Sequence, residues 1–136
     1  AALCLGDTTE SDRRQFLLDH THGVGPNVVL DCSGAPSAVT EFLPLTAPGG
    51  AYSLPGIAEP REPLPLKLFE WLARKSVSLQ GVWVSDTRHL VAAIQLVLSG
   101  EFPFQKLVTH RFPLGQATAA LEAADSRQAI KAVLEP

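Results

Sequence analysis

Short apolar runs alternate with helix-forming segments along this chain of 136 residues. The run from Asn27 to Cys32 is rich in β-branched residues and shows almost no polar alternation. Such a pattern predicts a strand that is covered on both faces. Two further strands are predicted at Ala51–Leu54 and Val77–Val84. Strands that alternate with helices of about ten residues favour a parallel sheet with right-handed βαβ connections.

Capping residues and glycines mark where the helices should begin and end. Thr9 to Asp12 has the pattern of a capping box and predicts a helix to about His22. Ser37 is expected to cap a second helix that runs through Leu45, and Asp86 a later one that stops at Gly100. Apolar residues over Leu66–Ala73 fall at helical spacing. The remaining elements are predicted to be a strand over Leu107–Phe112, a helix over Leu114–Ala124 and a strand over Ile130–Glu135.

Composition excludes several classes of partner. The net charge is −3, and no basic cluster is larger than the pairs Arg13–Arg14 and Arg74–Lys75, so neither nucleic acid nor an anionic membrane is expected as a partner. No apolar run approaches the roughly 18 residues that span a bilayer. The cysteines, Cys4 and Cys32, form neither a metal-ligand spacing nor a disulfide framework. We therefore expect a reduced, cytoplasmic protein. The sequence contains no Met, which fits a natural start that lies upstream, although processing of the N-terminus would give the same result.

The carboxyl ends of the three predicted strands are small or contain glycine. They form the stretches Cys32-Ser33-Gly34, Pro55-Gly56-Ile57 and Gly81-Val82-Trp83-Val84. Ligands of open α/β sheets bind outside the carboxyl ends of the strands, and glycine lets a backbone approach a ligand closely. By position alone, these glycines could equally serve only as turn or bulge residues.

No arrangement of residues predicts independent catalysis. The four histidines, His20, His22, His89 and His110, are scattered, and residues two apart on a helix do not share a face. His110 is expected to make a structural hydrogen bond. The sequence contains neither the Gly-x-Gly-x-x-Gly turn that binds a dinucleotide pyrophosphate nor a set of zinc-ligand spacings. Any enzyme activity should therefore need residues outside this chain.

Several motifs together resemble one enzyme superfamily. In order and spacing they are similar to the second half of the coenzyme domain in medium-chain dehydrogenases/reductases, most of all the zinc-containing alcohol, polyol and threonine dehydrogenase branch. The resemblance implies an α/β fold: the second half of a Rossmann-type parallel sheet with flanking helices over 1–105, plus a segment over 106–136 that belongs to the catalytic domain. The motifs are Gly25–Gly34, Pro48–Gly50 with Pro55–Gly56, Ser78–Gly81, Leu107–Leu114 and Ala129–Leu134.

The same resemblance implies a role for each strand end. The turn at Cys32, Ser33 and Gly34 would lie beside the adenosine and ribose of NAD or NADP. The segment at Pro55, Gly56 and Ile57 would pass the nicotinamide ribose, and Gly81, Val82 and Trp83 would meet the carboxamide. Lys131 would reach the pyrophosphate, where a cation is favourable. No catalytic or metal-binding residue is assigned, because the family's zinc ligands, proton relay and glycine-rich turn lie upstream of the first residue.

The resemblance implies an intact oxidoreductase that moves hydride between an alcohol or polyol and NAD(P), with this chain inactive alone. A homo-oligomer is expected through the third strand, Val77–Val84, and about 200 further residues should precede the chain in frame. A zinc-free quinone or enoyl reductase of the same superfamily is an alternative within the class. A binding or assembly module without catalysis is an alternative from another class.

Overall fold

The protein is described by a computed structural model over residues 2–56, 63–83 and 86–136. The chain forms two compact units, Ala1–Val84 and Ser85–Pro136. The division at 105/106, which assigns segments to a coenzyme and a catalytic domain, stays a prediction. Within the described ranges, no helix is long and apolar enough to cross a membrane.

The first unit is built on a three-stranded parallel sheet in the order β1-β2-β3. Leu30 lies opposite Ser53, and Leu54 lies opposite Gly81, so all three strands end at the same edge. This arrangement confirms the predicted α/β class with parallel strands. The elements are α1 (Glu10–His20), β1 (Val28–Leu30), α2 (Pro36–Phe42), β2 (Ala51–Leu54), α3 (Leu68–Trp71) and β3 (Ser78–Gly81).

A small apolar core joins the sheet to α2 and α3. Tyr52 and Leu43 are fully buried at its centre, beside Val39 and Val77. Partly buried side chains pack around this cluster, from the strands and from the segments that precede and form α3. These are Val29, Phe42, Leu54, Leu64, Leu66, Trp71, Leu72 and Leu79. The middle strand is therefore anchored by a large aromatic side chain, and its carboxyl end has a fixed position.

Helix α1 begins as the sequence predicts but buries no residue. Thr9 Oγ1 accepts a hydrogen bond from the Asp12 backbone N–H at 3.2 Å, and the Thr9 N–H donates to the Asp12 carboxylate at 2.9 Å, which completes the capping box. A paired contact attaches the helix to α2: Arg13 donates to the two carboxylate oxygens of Glu41 at 2.5 and 2.9 Å. The pKa of Arg13 is raised, chiefly by this hydrogen bond.

Strand β1 corrects one expectation. It was expected to be covered on both faces, yet Val28 and Leu30 are 63% and 67% exposed. Only Val29, which points to the opposite face, packs on the core. The reason is that no element of the described residues covers this face of the sheet: Ala51, which lies beside Val28 on the middle strand, is exposed as well.

The start of α2 also differs from the prediction. Ala35, not Ser37, is the N-cap residue, and no side chain caps the helix there. Pro36 occupies the first turn, where its missing N–H costs nothing. The helix ends at Phe42, and a 3₁₀ turn, Leu43–Leu45, carries the chain on to the predicted end.

The second unit contains two helices and a two-stranded parallel sheet. Helix α4 (Thr87–Leu98) begins at Asp86, whose carboxylate accepts from the His89 N–H at 3.1 Å, and ends before Gly100, which has φ +70°. Both predicted boundaries of this helix are thus confirmed. The other elements are β4 (His110–Pro113), α5 (Ala117–Asp125) and β5 (Ala132–Glu135).

Candidate functional site at the carboxyl edge of the sheet

The three predicted strand-end stretches of the first unit lie along one edge of its sheet. Cys32, Ser33 and Gly34 follow β1, and Pro55 and Gly56 follow β2. Gly81 is the last residue of β3, and Val82 and Trp83 come directly after it. We call these eight residues the carboxyl rim. Ile57 and Val84 lie outside the described residues.

Backbone hydrogen bonds tie the rim together. The Gly56 N–H donates to the carbonyl oxygen of Asp31 at 3.0 Å, which connects the end of β2 to the end of β1. The Val82 N–H donates to the carbonyl oxygen of Leu54 at 3.3 Å, which connects β3 to β2. The rim is therefore a continuation of the sheet, with the rigidity of paired strands.

Glycine is required at position 56 by the packing of the rim. A β-carbon there would lie 2.6 Å from the Gly34 nitrogen and 2.7 Å from the Cys32 carbonyl carbon. Gly34 has φ +67°, in the left-handed region that favours glycine. The turn after β1 thus sits directly against the turn after β2. By contrast, a β-carbon at Gly81 would meet no atom of the described residues within 4 Å, so the packing of these residues does not require that glycine.

A buried carboxylate lies beneath the first turn. Asp31 is 7% exposed and accepts hydrogen bonds from Ser33, from the N–H at 3.0 Å and from the hydroxyl at 2.6 Å. Its second oxygen accepts from the buried Tyr52 hydroxyl at 2.9 Å. Burial, and then the bond to Asp31, raises the pKa of Tyr52 well above its usual range.

Sequence reasoning did not select Asp31 or Tyr52 as site residues. One signal was present, since an Asp at a strand end with a Ser two residues later is typical of an Asx turn. The contact between Asp31 and Tyr52 is tertiary and joins residues 21 apart. Local patterns carry no information about such a pairing.

The upper surface of the rim is open. Cys32, Ser33, Pro55 and Gly81 are exposed, and Trp83 is 80% exposed. Beside the first turn lies a cavity of about 420 Å³, whose apolar walls come from α1, β1 and α2 and whose polar wall includes Asp31 and Ser33. The rim can therefore offer backbone groups and an aromatic surface to a ligand without rearrangement.

Lys131 lies in the second unit, exposed, immediately before β5. Its carbonyl oxygen accepts from the N–H groups of Thr109 and His110 at 3.1 and 3.3 Å, so its backbone is fixed by β4. The approach of this lysine to the pyrophosphate stays a prediction.

The histidines of the described segments make local contacts. His110 Nδ1 lies 3.0 Å from Thr109 Oγ1, which agrees with the structural role expected for it, and His20 Nδ1 lies 2.8 Å from the Phe16 carbonyl oxygen. Within the described residues, no group of three or more His, Cys, Asp or Glu side chains could hold a metal ion. These residues therefore do not by themselves fit a zinc site.

Known proteins resemble the chain over almost its whole length. A family model described as zinc-binding dehydrogenase matches residues 2–99. The L-threonine 3-dehydrogenase of Symbiobacterium thermophilum is 35% identical over 133 residues, which cover 94% of this chain and 36% of that protein. The geraniol dehydrogenase of Castellaniella defragrans is 33% identical over 115 residues, covering 82% of this chain and 30% of that protein.

Solved structures agree with this relationship. An alcohol dehydrogenase from Thermotoga maritima superimposes with a TM-score of 0.89 and 40% identity, over 98% of this chain and 37% of that one. The chain thus spans about a third of the length of the relatives it matches. Its α/β fold corresponds to the Rossmann-type carboxyl-terminal portion of such enzymes. The chain belongs to the zinc-binding dehydrogenase family.

Proposed function

We propose that this chain supplies the second half of the NAD(P)-binding domain of an alcohol dehydrogenase-like oxidoreductase. The full-length gene product would transfer hydride between an alcohol or polyol and NAD or NADP, and the chain alone would be inactive. Bound NAD(P) supplies the hydride acceptor or donor. The residues of the carboxyl rim bind and orient it, and Lys131 adds a positive charge for the pyrophosphate.

The observation that carries this proposal is the common edge of Gly34, Gly56 and Gly81. Three strand ends meet there, two of them packed so closely that a β-carbon at position 56 would collide with the turn after β1. A parallel sheet binds its ligand outside such an edge. Had the three glycines belonged to opposite edges, no single dinucleotide could contact them all.

The exposed outer face of β1 supports the inference that the other half of the domain comes from residues outside this chain. Val28 and Leu30 are apolar, exposed and next to the cavity of about 420 Å³. An exposed apolar edge strand is a liability that proteins usually cover. We infer that residues preceding the chain pair with β1, contribute the glycine-rich phosphate turn and shield this face.

Zinc ligands would also come from outside the described residues. The alcohol oxygen would be polarised there by zinc acting as a Lewis acid. The alternative is a zinc-free quinone or enoyl reductase, and the presence or absence of zinc ligands in the upstream sequence would decide between the two. We further propose a small-molecule alcohol as substrate and a cytoplasmic location. We also propose a homo-oligomer through β3, whose outer edge pairs with no strand among the described residues of the first unit.

A second candidate function is an assembly module without catalysis. The observation that favours it is that no described residue of the first unit pairs with the outer edges of the three-stranded sheet, at β1 and β3. Such edges can each add a strand from another chain. This candidate predicts complexes with other proteins and no affinity for nicotinamide dinucleotides.

Titration with NADH and NADPH separates the two candidates. The dinucleotide would be followed by its own fluorescence, once with the 136-residue chain and once with the full-length gene product. We expect saturable binding by the full-length product and alcohol-dependent reduction of NAD or NADP. We expect weak binding or none by the chain alone, because it lacks the pyrophosphate turn. A full-length product that binds neither dinucleotide would overturn the proposed function.

A further inference from the structure

The Asp31 carboxylate is a buried charged group for which hydride transfer has no obvious use. It lies at the junction of β1 and the first turn of the carboxyl rim, and only 7% of the residue is exposed. A carboxylate in such a position loses most of its hydration, which is unfavourable unless hydrogen bonds replace it. Its contacts therefore deserve a functional explanation as well as a structural one.

Each carboxylate oxygen has its own partner. Oδ1 accepts two hydrogen bonds from Ser33, whose hydroxyl oxygen in turn accepts from the Ala35 N–H at 3.1 Å. Oδ2 accepts from the Tyr52 hydroxyl, which also lies 3.3 Å from the Ala38 carbonyl oxygen. Tyr52 itself is fixed in the core, with no exposed surface. The carboxylate thus joins the exposed Ser33 of the turn to a fully buried donor, the Tyr52 hydroxyl.

The backbone of Asp31 extends this connection to the second turn. Its N–H donates to the Ser53 carbonyl oxygen at 2.9 Å, and its carbonyl oxygen accepts from the Gly56 N–H at 3.0 Å. The Cys32–Gly34 turn rests on Gly56 with no space for a β-carbon. A change in the direction of the Asp31 side chain would therefore move the first turn relative to the second.

We propose that Asp31 is a positioning residue for dinucleotide binding: held by Tyr52, it fixes Ser33 and the Cys32–Gly34 turn in the shape that meets the cofactor. This inference rests on the proposed function. In this role Asp31 acts through Ser33 and the turn, which it keeps ordered before the cofactor arrives. Preorganisation of this kind raises affinity because less order has to be imposed on binding.

Two substitutions in the full-length gene product test the proposal. Asp31→Ala removes both carboxylate oxygens, so we expect the Kd for NADH to rise about tenfold or more, with the KM for the dinucleotide rising likewise and kcat changing by less than about threefold. Asp31→Asn should keep the Kd within about threefold of the original value. In that variant the amide can donate to the Tyr52 hydroxyl, whose hydrogen is then free for the Ala38 carbonyl oxygen.

Lys75→Met is the matched control for lost stability. Lys75 Nζ donates to the carbonyl oxygens of Pro44 and Thr46, in the loop that leads into β2 at the opposite edge of the sheet. This variant should lower the unfolding temperature and leave the Kd for NADH unchanged. Hydrogen exchange supplies a readout that needs no cofactor: Asp31→Ala should speed exchange at the N–H groups of residues 33, 35 and 56.

The outcomes are distinguishable. An unchanged Kd in Asp31→Ala, or equal weakening in Asp31→Ala and Lys75→Met, overturns the positioning role and leaves the proposed function standing. Weakening in Asp31→Ala with recovery in Asp31→Asn supports the positioning role. Failure of the unaltered protein to bind NADH overturns the proposed function, and with it the role of Asp31 in binding.

Discussion

Gly56 and Gly34 are in backbone contact across two neighbouring strand ends: a β-carbon on Gly56 would approach the Gly34 nitrogen to 2.6 Å. The contact joins turns that are 22 positions apart in the sequence, and it exists only because β1 and β2 are parallel and adjacent. Both turns belong to the carboxyl rim. Their separation therefore controls the shape of the proposed cofactor site.

Substitution at this contact should damage stability and binding together. Gly56→Ala places a methyl group against backbone atoms that cannot move independently, so we expect a loss of about 1–3 kcal/mol in the free energy of unfolding. Dinucleotide affinity should fall with it, because the two turns separate. Thermal unfolding and NADH titration of the full-length gene product would measure the two effects.

Gly81→Ala is the companion variant, since a β-carbon there would have no atom within 4 Å in the part of the chain that the structure describes. We expect its unfolding free energy to stay within about 0.5 kcal/mol of the original value. If β3 meets the cofactor, NADH affinity should nevertheless fall, because the added methyl group occupies the space of the ligand. Unchanged affinity in Gly81→Ala would remove β3 from the site.

Alkaline pH should destabilise the protein through Tyr52. Burial and the bond to Asp31 raise the pKa of Tyr52 above the ordinary value of 10.0, so the unfolded chain releases this proton first. The folded state is therefore favoured fully below pH 10, and its advantage declines as pH rises from there toward the folded pKa, by at most about 1.4 kcal/mol per pH unit.

Tyr52→Phe isolates that contribution. The difference in unfolding free energy between the unaltered protein and Tyr52→Phe should shrink as pH is raised above 10, and the same difference should be constant between pH 7 and 9. Burial lowers the pKa of Lys75, but Lys75 is present in both proteins, so its contribution to the unfolding free energy cancels in the difference. A difference that is independent of pH up to pH 11 would contradict the buried Tyr52–Asp31 contact.

Much of the fold could be predicted because its signals are local. Ala51–Leu54 forms β2 with the predicted bounds, and Thr9 and Asp86 cap their helices as expected. The third strand is shorter than Val77–Val84, since pairing with β2 stops where β2 ends, at Leu54 opposite Gly81. Strand lengths here depend on the partner, which local patterns do not describe.

The predictions that failed concern element bounds and burial, which depend on contacts with residues distant in the sequence. Leu107 belongs to a 3₁₀ turn, Phe104–Leu107, although its neighbours favour a strand, and β4 begins at His110, where pairing with Ala132 begins. The helical spacing over Leu66–Ala73 yields only one turn of α-helix, Leu68–Trp71, followed by a 3₁₀ turn. Likewise, the apolar run of β1 indicated a covered strand, while Leu30 is exposed in this chain.

That exposed face leads to a test of the missing half of the domain. Leu30→Lys should cost the full-length gene product at least about 2 kcal/mol of unfolding free energy, because the new charge would be buried beneath the residues that cover β1. Gln15→Lys is the control, because Gln15 is exposed on α1 and does not line the cavity. It should change the unfolding free energy by no more than about 0.5 kcal/mol. Equal, small effects from both would mean that β1 stays uncovered.

Trp83 offers an optical test of the third strand end. Its side chain is 80% exposed, so acrylamide should quench its fluorescence readily. Saturating NAD should reduce this quenching, and the reduction should disappear in Trp83→Phe. It should persist in the control variant Trp71→Phe, because the Trp71 side chain packs on the core. Protection that survives in Trp83→Phe would place the cofactor away from β3.

Hydrogen–deuterium exchange of the full-length gene product, with and without NADH, measures most directly whether the carboxyl rim binds the cofactor. Peptides that cover residues 32–34, 55–56 and 81–83 should become protected together on NADH addition. Peptides from the opposite edge of the sheet, around residues 46–50, should exchange as before. Protection confined to that opposite edge, or absent from all three rim segments, would contradict the account.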